Sequence, residues 1–148
     1  NDIFKEGQLV DIHAVSKGKG FQGPVKRFGV SIRSHKAEKT KRGPGSLGGW
    51  KVQGHIMYRV AHAGQMGYHT RTEYNKQLMK IATDPKEVEK INPKGGFDSY
   101  GTVKNPYVLI KGSVIGPSKR MIRMNFSTRM TDSANRDSYS IQNIMVNR

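Results

Sequence analysis

The positive charge of this chain is concentrated in one stretch, and that stretch limits what the chain can fold into. Residues 17–80 hold 14 Lys and Arg against two acids, Glu38 and Glu73. Residues 1–16 carry a net charge of −2 and residues 81–148 a net of +5, so most of the formal +15 lies in the middle. The same stretch is rich in glycine and has few aliphatic residues between Ser31 and Lys51. A segment of this kind buries too little apolar surface to offset the entropy lost on ordering it. It requires a polyanion to order it.

The whole chain narrows the choice of polyanion. At 148 residues it has the length of a single domain, residues 1–148, and its hydrophobic share of 34% leaves part of it outside any core. A pI near 10.2 and a mean hydropathy of −0.68 point to nucleic acid. No apolar run approaches the roughly 20 residues that span a bilayer, and Gly and Pro break the basic stretch where an interfacial helix would need a continuous apolar face. No membrane partner is expected. The absence of cysteine removes disulfides, zinc–thiolate sites and thiol nucleophiles, and suits a reducing compartment. No signal sequence is visible, and a first residue of Asn rather than Met fits a piece of a longer protein.

Along the chain, strand signals alternate with turn clusters. QLVDIHAV alternates Val10, Ile12 and Ala14 with Leu9, Asp11, His13 and Val15, which predicts a strand over about 8–16. Pro24 is placed to open a short helical turn through Phe28. Residues 31–57, with the breaker cluster RGPGSLGGW, read as an extended excursion. Met57, Tyr58, Val60, Met66 and Tyr68 are expected to anchor its return limb. Residues 70–82 fit a helix at Tyr74, Leu78 and Ile81 but alternate equally well as a strand, and strand is preferred. Asp84-Pro85 predicts a short helix over 85–90. Further strands are expected at about 107–114, 119–126 and 139–146. The fold class is mainly β: a small antiparallel barrel or sandwich carrying a long basic loop over about 17–68.

Each candidate chemistry has a plainer competitor. Gly18, Gly20 and Gly23 spell GxGxxG, with Glu38 near the distance of a ribose-binding acid, but residues 31–40 supply neither the crossover helix nor the second apolar strand of a dinucleotide fold. Close backbone approach to phosphate, neutralised by Lys17, Lys19, Lys26 and Arg27, uses the same glycines better, and a plain surface loop is the alternative. His55, His62 and His69 are evenly spaced but lack helical i,i+4 placement and carboxylate company, so no metal is expected and nucleotide contact suits them better. His13 reads as a sheet residue. Glu73, between Arg71 and Lys76, reads as an ion-pair orienter. No acid pair, nucleophile–base pair or desolvated lysine is specified, so the chain does not read as an enzyme, and no cofactor or small-molecule substrate is implied. Trp50 is either folded back onto the barrel or an aromatic at the loop tip that packs among nucleotides. Lys119, Arg120 and Arg123 form either a solvated face or a second phosphate-contact site.

Five stretches together carry a family resemblance: VSKGKGFQGPVKRFG, GSLGGW, AGQMGYHTRTEYNK, INPKGGFDSYGTVKNPYVLIKGSVIGP and SKRMIRM. In this order, from about Val10 to Arg129, they closely resemble the large-subunit ribosomal protein L3 family in its archaeal and eukaryotic form. KGSVIGPSKRMIR looks more archaeal than eukaryotic. Family members are longer, with a further N-terminal section and an inserted subdomain. The resemblance implies a translation-protein-type β-barrel on the surface of the large subunit. It also implies a long extension into the rRNA, towards the peptidyl transferase centre and the aminoacyl-tRNA entry corridor. Implied partners are large-subunit rRNA and the neighbouring ribosomal protein L14; the implied role is structural, with early binding in subunit assembly, in the cytoplasm on the ribosome. A free-standing RNA- or DNA-binding module is the alternative.

Carried over by position, the rRNA contacts fall in four groups. Lys17, Lys19, Phe21, Lys26 and Arg27 lie at the root of the extension. Arg33, His35, Lys36, Lys39, Lys41 and Arg42 follow along the outgoing limb. Trp50 and Lys51 mark the inner tip, and Arg59, Gln65, Tyr68, His69 and Arg71 the return. Two positions depart from the family pattern. Glu38 stands where eukaryotic members have a methylated histidine, with His35 nearby, and Gly49 stands where bacterial members have a methylated glutamine.

Overall fold

The computed structural model describes residues 3–49, 54–129 and 141–145 of the chain. It is mainly β, with two short helices among the described residues, and divides into two compact units. One unit is Lys17–His69; the other joins Asn1–Ser16 to Thr70–Arg148.

The second of these is built on β1 (Leu9–Val15). β1 is central in a four-stranded antiparallel sheet with β4 (Thr70–Ala82), β5 (Tyr107–Ile110) and β6 (Arg123–Phe126), in the order β5-β4-β1-β6. Alternation along β1 sends Val10 and Ile12 to one side, where they are fully buried with Leu78. Phe4, Ile81, Val108, Ile110, Val114 and Met124 pack around them. Full burial of each aliphatic side chain stabilises by about 1.5–3 kcal/mol, so Ile12→Ala would remove about 2–5 kcal/mol once the cavity is counted.

β4 is a strand whose phase shifts twice. Val10 pairs with Lys76 but Ile12 with Glu73, so Tyr74 and Asn75 together face Asp11. Asn75 takes φ +56°, the left-handed conformation that Asn tolerates at a bulge. A second shift falls at Met79, since Leu78 pairs with Ile110 and Lys80 with Leu109. That extra residue lets Leu78 and Ile81, three apart, reach the same core. The helical spacing of these residues is therefore the trace of a bulge.

After β4, Pro85 opens α2 (Pro85–Lys90), which buries Val88, and Ile91 follows it into the core. Asn92 then staples the next loop, donating from Nδ2 to the Val103 carbonyl at 2.9 Å and accepting the Val103 N–H at 2.7 Å. Three expected strands are shorter or absent. β5 ends at Ile110, ahead of Gly112 at φ +86°. Residues 119–122 stay outside β6, because Lys119 takes φ +68° and the Arg120 N–H closes a turn on the Pro117 carbonyl at 3.2 Å. Residues 141–145 are irregular, and the rest of the strand expected at 139–146 lies outside the described residues. Among the described residues the sheet is open, with β5 and β6 at its edges, and does not close into a barrel.

In the other unit, β2 (Phe21–Gln22) and β3 (Gly64–Gln65) form a two-stranded antiparallel ribbon. Lys19 donates to the Met66 carbonyl and Met66 to the Gly20 carbonyl, each at 2.9 Å, which lengthens the ribbon at one end. Between the strands α1 (Pro24–Phe28) starts at Pro24 and stops at Gly29, whose φ of +72° closes the turn on the Val25 carbonyl.

Candidate nucleic-acid interface

Lys17–His69 contains eleven Lys and Arg and one acid, Glu38. Lys17, Lys19, Lys26, Arg33, Lys36, Lys39, Lys41, Arg42 and Arg59 are all exposed, as is His35. Aromatic surface is interleaved with them: Phe21 is 78% exposed, Tyr58 86% and Tyr68 64%. Exposed rings among cations are the composition that stacks on nucleotides and neutralises phosphate. Trp50 and Lys51 lie outside the described residues.

Close backbone approach fixes the root of this unit. Gly67 has φ +71°, and a Cβ there would sit 2.0 Å from the Lys17 carbonyl oxygen. Tyr68 follows at φ +57°, with its ring outside. Gln65 donates from Nε2 to the Met66 and Gly67 carbonyls at 3.1 and 3.2 Å, so its amide is used within the turn.

Arg27 does something the sequence does not announce. It donates from Nε to the Gln65 carbonyl at 3.2 Å and from Nη1 to the His62 carbonyl at 2.8 Å. Its guanidinium lies 3.0 Å from where a Gly64 Cβ would be, and 4.9 Å from the Phe28 ring centroid. Arg27 thus clamps the return limb. Arg59 is held by its neighbour, with Nε 2.8 Å from the Tyr58 hydroxyl and Cζ 5.3 Å from that ring. Met57, Tyr58 and Tyr68 do not anchor the limb by burial, since all three are exposed; Val60 and Met66 are half-buried. Within this unit, among the described residues, Phe28 and Tyr58 are the exposed rings that sequence reasoning left out of the contact set, and the signal for both was an adjacent arginine.

His69 is half-buried at the end of this unit. Arg71 belongs to β4 in the other unit, exposed, with Nη1 donating to the Thr70 carbonyl at 2.9 Å. There His13 Nδ1 meets Thr72 Oγ1 at 2.8 Å as a sheet residue, and Glu73 lies 2.8 Å from Lys76 Nζ in an ion pair without an aligned hydrogen bond. Among the described residues no group of three or more His, Asp or Glu could hold a metal ion, and no helix is long and apolar enough to cross a membrane.

The family model for ribosomal protein L3 matches residues 1–147. The chain belongs to the ribosomal protein L3 family. It is similar to the large ribosomal subunit protein uL3 of Methanothermobacter thermautotrophicus, with 53% identity over 87% of this chain and 38% of that protein. The uL3 proteins of Methanosphaera stadtmanae and Methanobrevibacter smithii are 54% and 56% identical over 86% and 82% of the chain, which is 38% and 36% of theirs. The chain thus spans under two fifths of the length of these curated L3 relatives. Their archaeal origin agrees with the archaeal character of KGSVIGPSKRMIR.

Proposed function

We propose that this L3-family chain is a structural, rRNA-binding part of the large ribosomal subunit, working in the cytoplasm on the ribosome. The observation that carries this is the unit Lys17–His69, with nine described exposed Lys and Arg, exposed aromatic rings and a single acid. Such a surface binds by releasing counterions from phosphates and by shape, so its affinity falls steeply with salt. The relatives' name, large ribosomal subunit protein, supports the same reading. In this reading the unit enters the rRNA towards the peptidyl transferase centre. The four-stranded sheet belongs to a translation-protein-type β-barrel beside ribosomal protein L14, and the protein acts early in assembly. Its role is to hold RNA in place, with no catalysis of its own.

Binding of the chain to total large-subunit rRNA, with tRNA as competitor and salt as the variable, tests the proposal. Binding that survives excess tRNA supports it. Equal binding to both RNAs, lost together as salt rises, would leave only non-specific charge attraction and overturn it.

A further inference from the structure

The four-stranded sheet has a second face, and strand register assembles it residue by residue. His13 of β1 stands opposite Thr72 of β4 and Arg123 of β6, so these three share a face. Alternation adds Tyr74, two beyond Thr72, and Asn125, two beyond Arg123. Val10, Ile12 and Met124 belong to the opposite, core-facing side.

Arg129 joins this face through Tyr74, with its guanidinium carbon 4.1 Å from the ring centroid. The backbone that carries it is held as well. Asn75 donates from Nδ2 to the Arg129 carbonyl at 2.9 Å, and Thr128 donates from its N–H and hydroxyl to Asp11 Oδ2, both at 3.0 Å. A guanidinium stacked on a ring and hung from a fixed backbone has little rotamer freedom left to lose on binding.

Among the described residues the exposed charge on this face is of one sign. Arg123, Arg129, Asn125 and Tyr74 are exposed. The carboxylate beside them, Asp11, is 1% exposed and already accepts the donations of Asn75 and Thr128. Glu73, opposite Ile12, belongs to the other side and pairs with Lys76. We propose that the sheet face carrying Arg123, Arg129, Tyr74 and Asn125 is a second RNA-contact surface, which takes the sugar–phosphate backbone. This rests on the RNA-binding reading above. The two guanidinium forks fit phosphate oxygens, the Asn125 amide fits a 2′-hydroxyl, and the Tyr74 ring backs the stacked arginine.

The test compares the full chain with Arg123→Gln/Arg129→Gln, binding total large-subunit rRNA under excess tRNA from about 50 to about 300 mM salt. The slope of log affinity against log salt falls by about two, one for each phosphate contact removed. Arg123→Gln alone, on an exposed edge strand, leaves the Tyr74 stack intact and lowers the slope by about one. An unchanged slope in both variants, with unfolding like that of the parent chain, overturns this surface and leaves the extension reading standing. Absence of any preference of the parent chain for rRNA over tRNA overturns both. Loss of polyglutamate binding in the variants, with rRNA binding unchanged, overturns RNA as the occupant in favour of an acidic protein.

Discussion

Asp11 Oδ1 accepts the Asn75 backbone N–H at 3.0 Å, and this bond fixes the left-handed residue on which the first bulge of β4 turns. The other oxygen takes the N–H and hydroxyl of Thr128, and Ser127 donates in turn to the Asn75 side chain. One buried carboxylate of β1 therefore ties β4 to the segment that follows β6. Burial by itself would raise the pKa of Asp11, but the donations from Thr128, Asn75 and Ser127 outweigh it and hold the group below the 3.8 of an unperturbed aspartate.

The pH dependence follows from that direction. A carboxyl whose folded pKa is depressed contributes stability that is present above the unfolded value and is lost as pH falls through the folded one. Asp11→Asn sets an amide against N–H donors and destabilises by about 1–3 kcal/mol near neutral pH. Urea unfolding between about pH 6 and about pH 2 reads both effects, and the gap between parent and variant shrinks across the acid end. A gap of constant size would mean that the carboxylate is not what holds the bulge.

Gly67 and Gly20 provide a matched pair. Both have positive φ, but a Cβ at Gly67 meets the Lys17 carbonyl at 2.0 Å whereas one at Gly20 meets nothing within 4 Å. Gly20→Ala therefore costs only the left-handed penalty of about 1–2 kcal/mol. Gly67→Ala adds a backbone collision that opens the ribbon. Hydrogen exchange at the Lys19 and Met66 amides is the measurement: both lose protection in Gly67→Ala and largely keep it in Gly20→Ala.

Arg27→Lys keeps the charge and loses the fork that reaches both the His62 and Gln65 carbonyls. The salt slope of RNA binding stays as in the parent chain, while affinity falls at every salt concentration because the return limb is no longer pre-ordered. A lower slope with little loss of order would instead identify Arg27 as a phosphate contact.

Lys80 and Glu87 form an ion pair at 2.9 Å between β4 and α2. The hydrogen bond to Glu87 raises the Lys80 pKa above its usual 10.5, aided by the Glu87 charge and opposed by desolvation. Whatever stability the pair gives is complete below 10.5 and is lost as pH rises through the folded value. In Glu87→Gln an NMR titration of the Lys80 side chain moves back towards 10.5. A Lys80 titration identical in parent and variant would show that the pair does not persist in solution.

How far the sequence could be read depends on whether a feature leaves a pattern. The alternation in QLVDIHAV is visible because β1 is regular, and Asp84-Pro85 is visible because a helix start has its own chemistry. The bulges of β4 were hidden, since an extra residue at Met79 turns strand alternation into a spacing of three that looks helical. Asp11 left a signal that went unused: a carboxylate in an otherwise apolar run must find donors or stay out of the sheet. β2 and β3, two residues each, have no period to detect. The clamp made by Arg27 joins residues 35 and 38 positions apart, a distance at which composition predicts charge but not geometry.

Val15 and Thr70 are register partners, so 54 residues, 16–69, are looped out between two paired positions of one sheet. Loop-closure entropy grows only with the logarithm of length, and such a loop costs about 2 kcal/mol more to close than a tight turn. Lengthening or shortening the excursion therefore barely touches the register of β1 on β4. The cost falls on time instead: the central pairing of the sheet must wait for a distant, like-charged segment to come round, which makes it a slow contact to form. Added salt or an RNA fragment, by screening that segment, speeds the search.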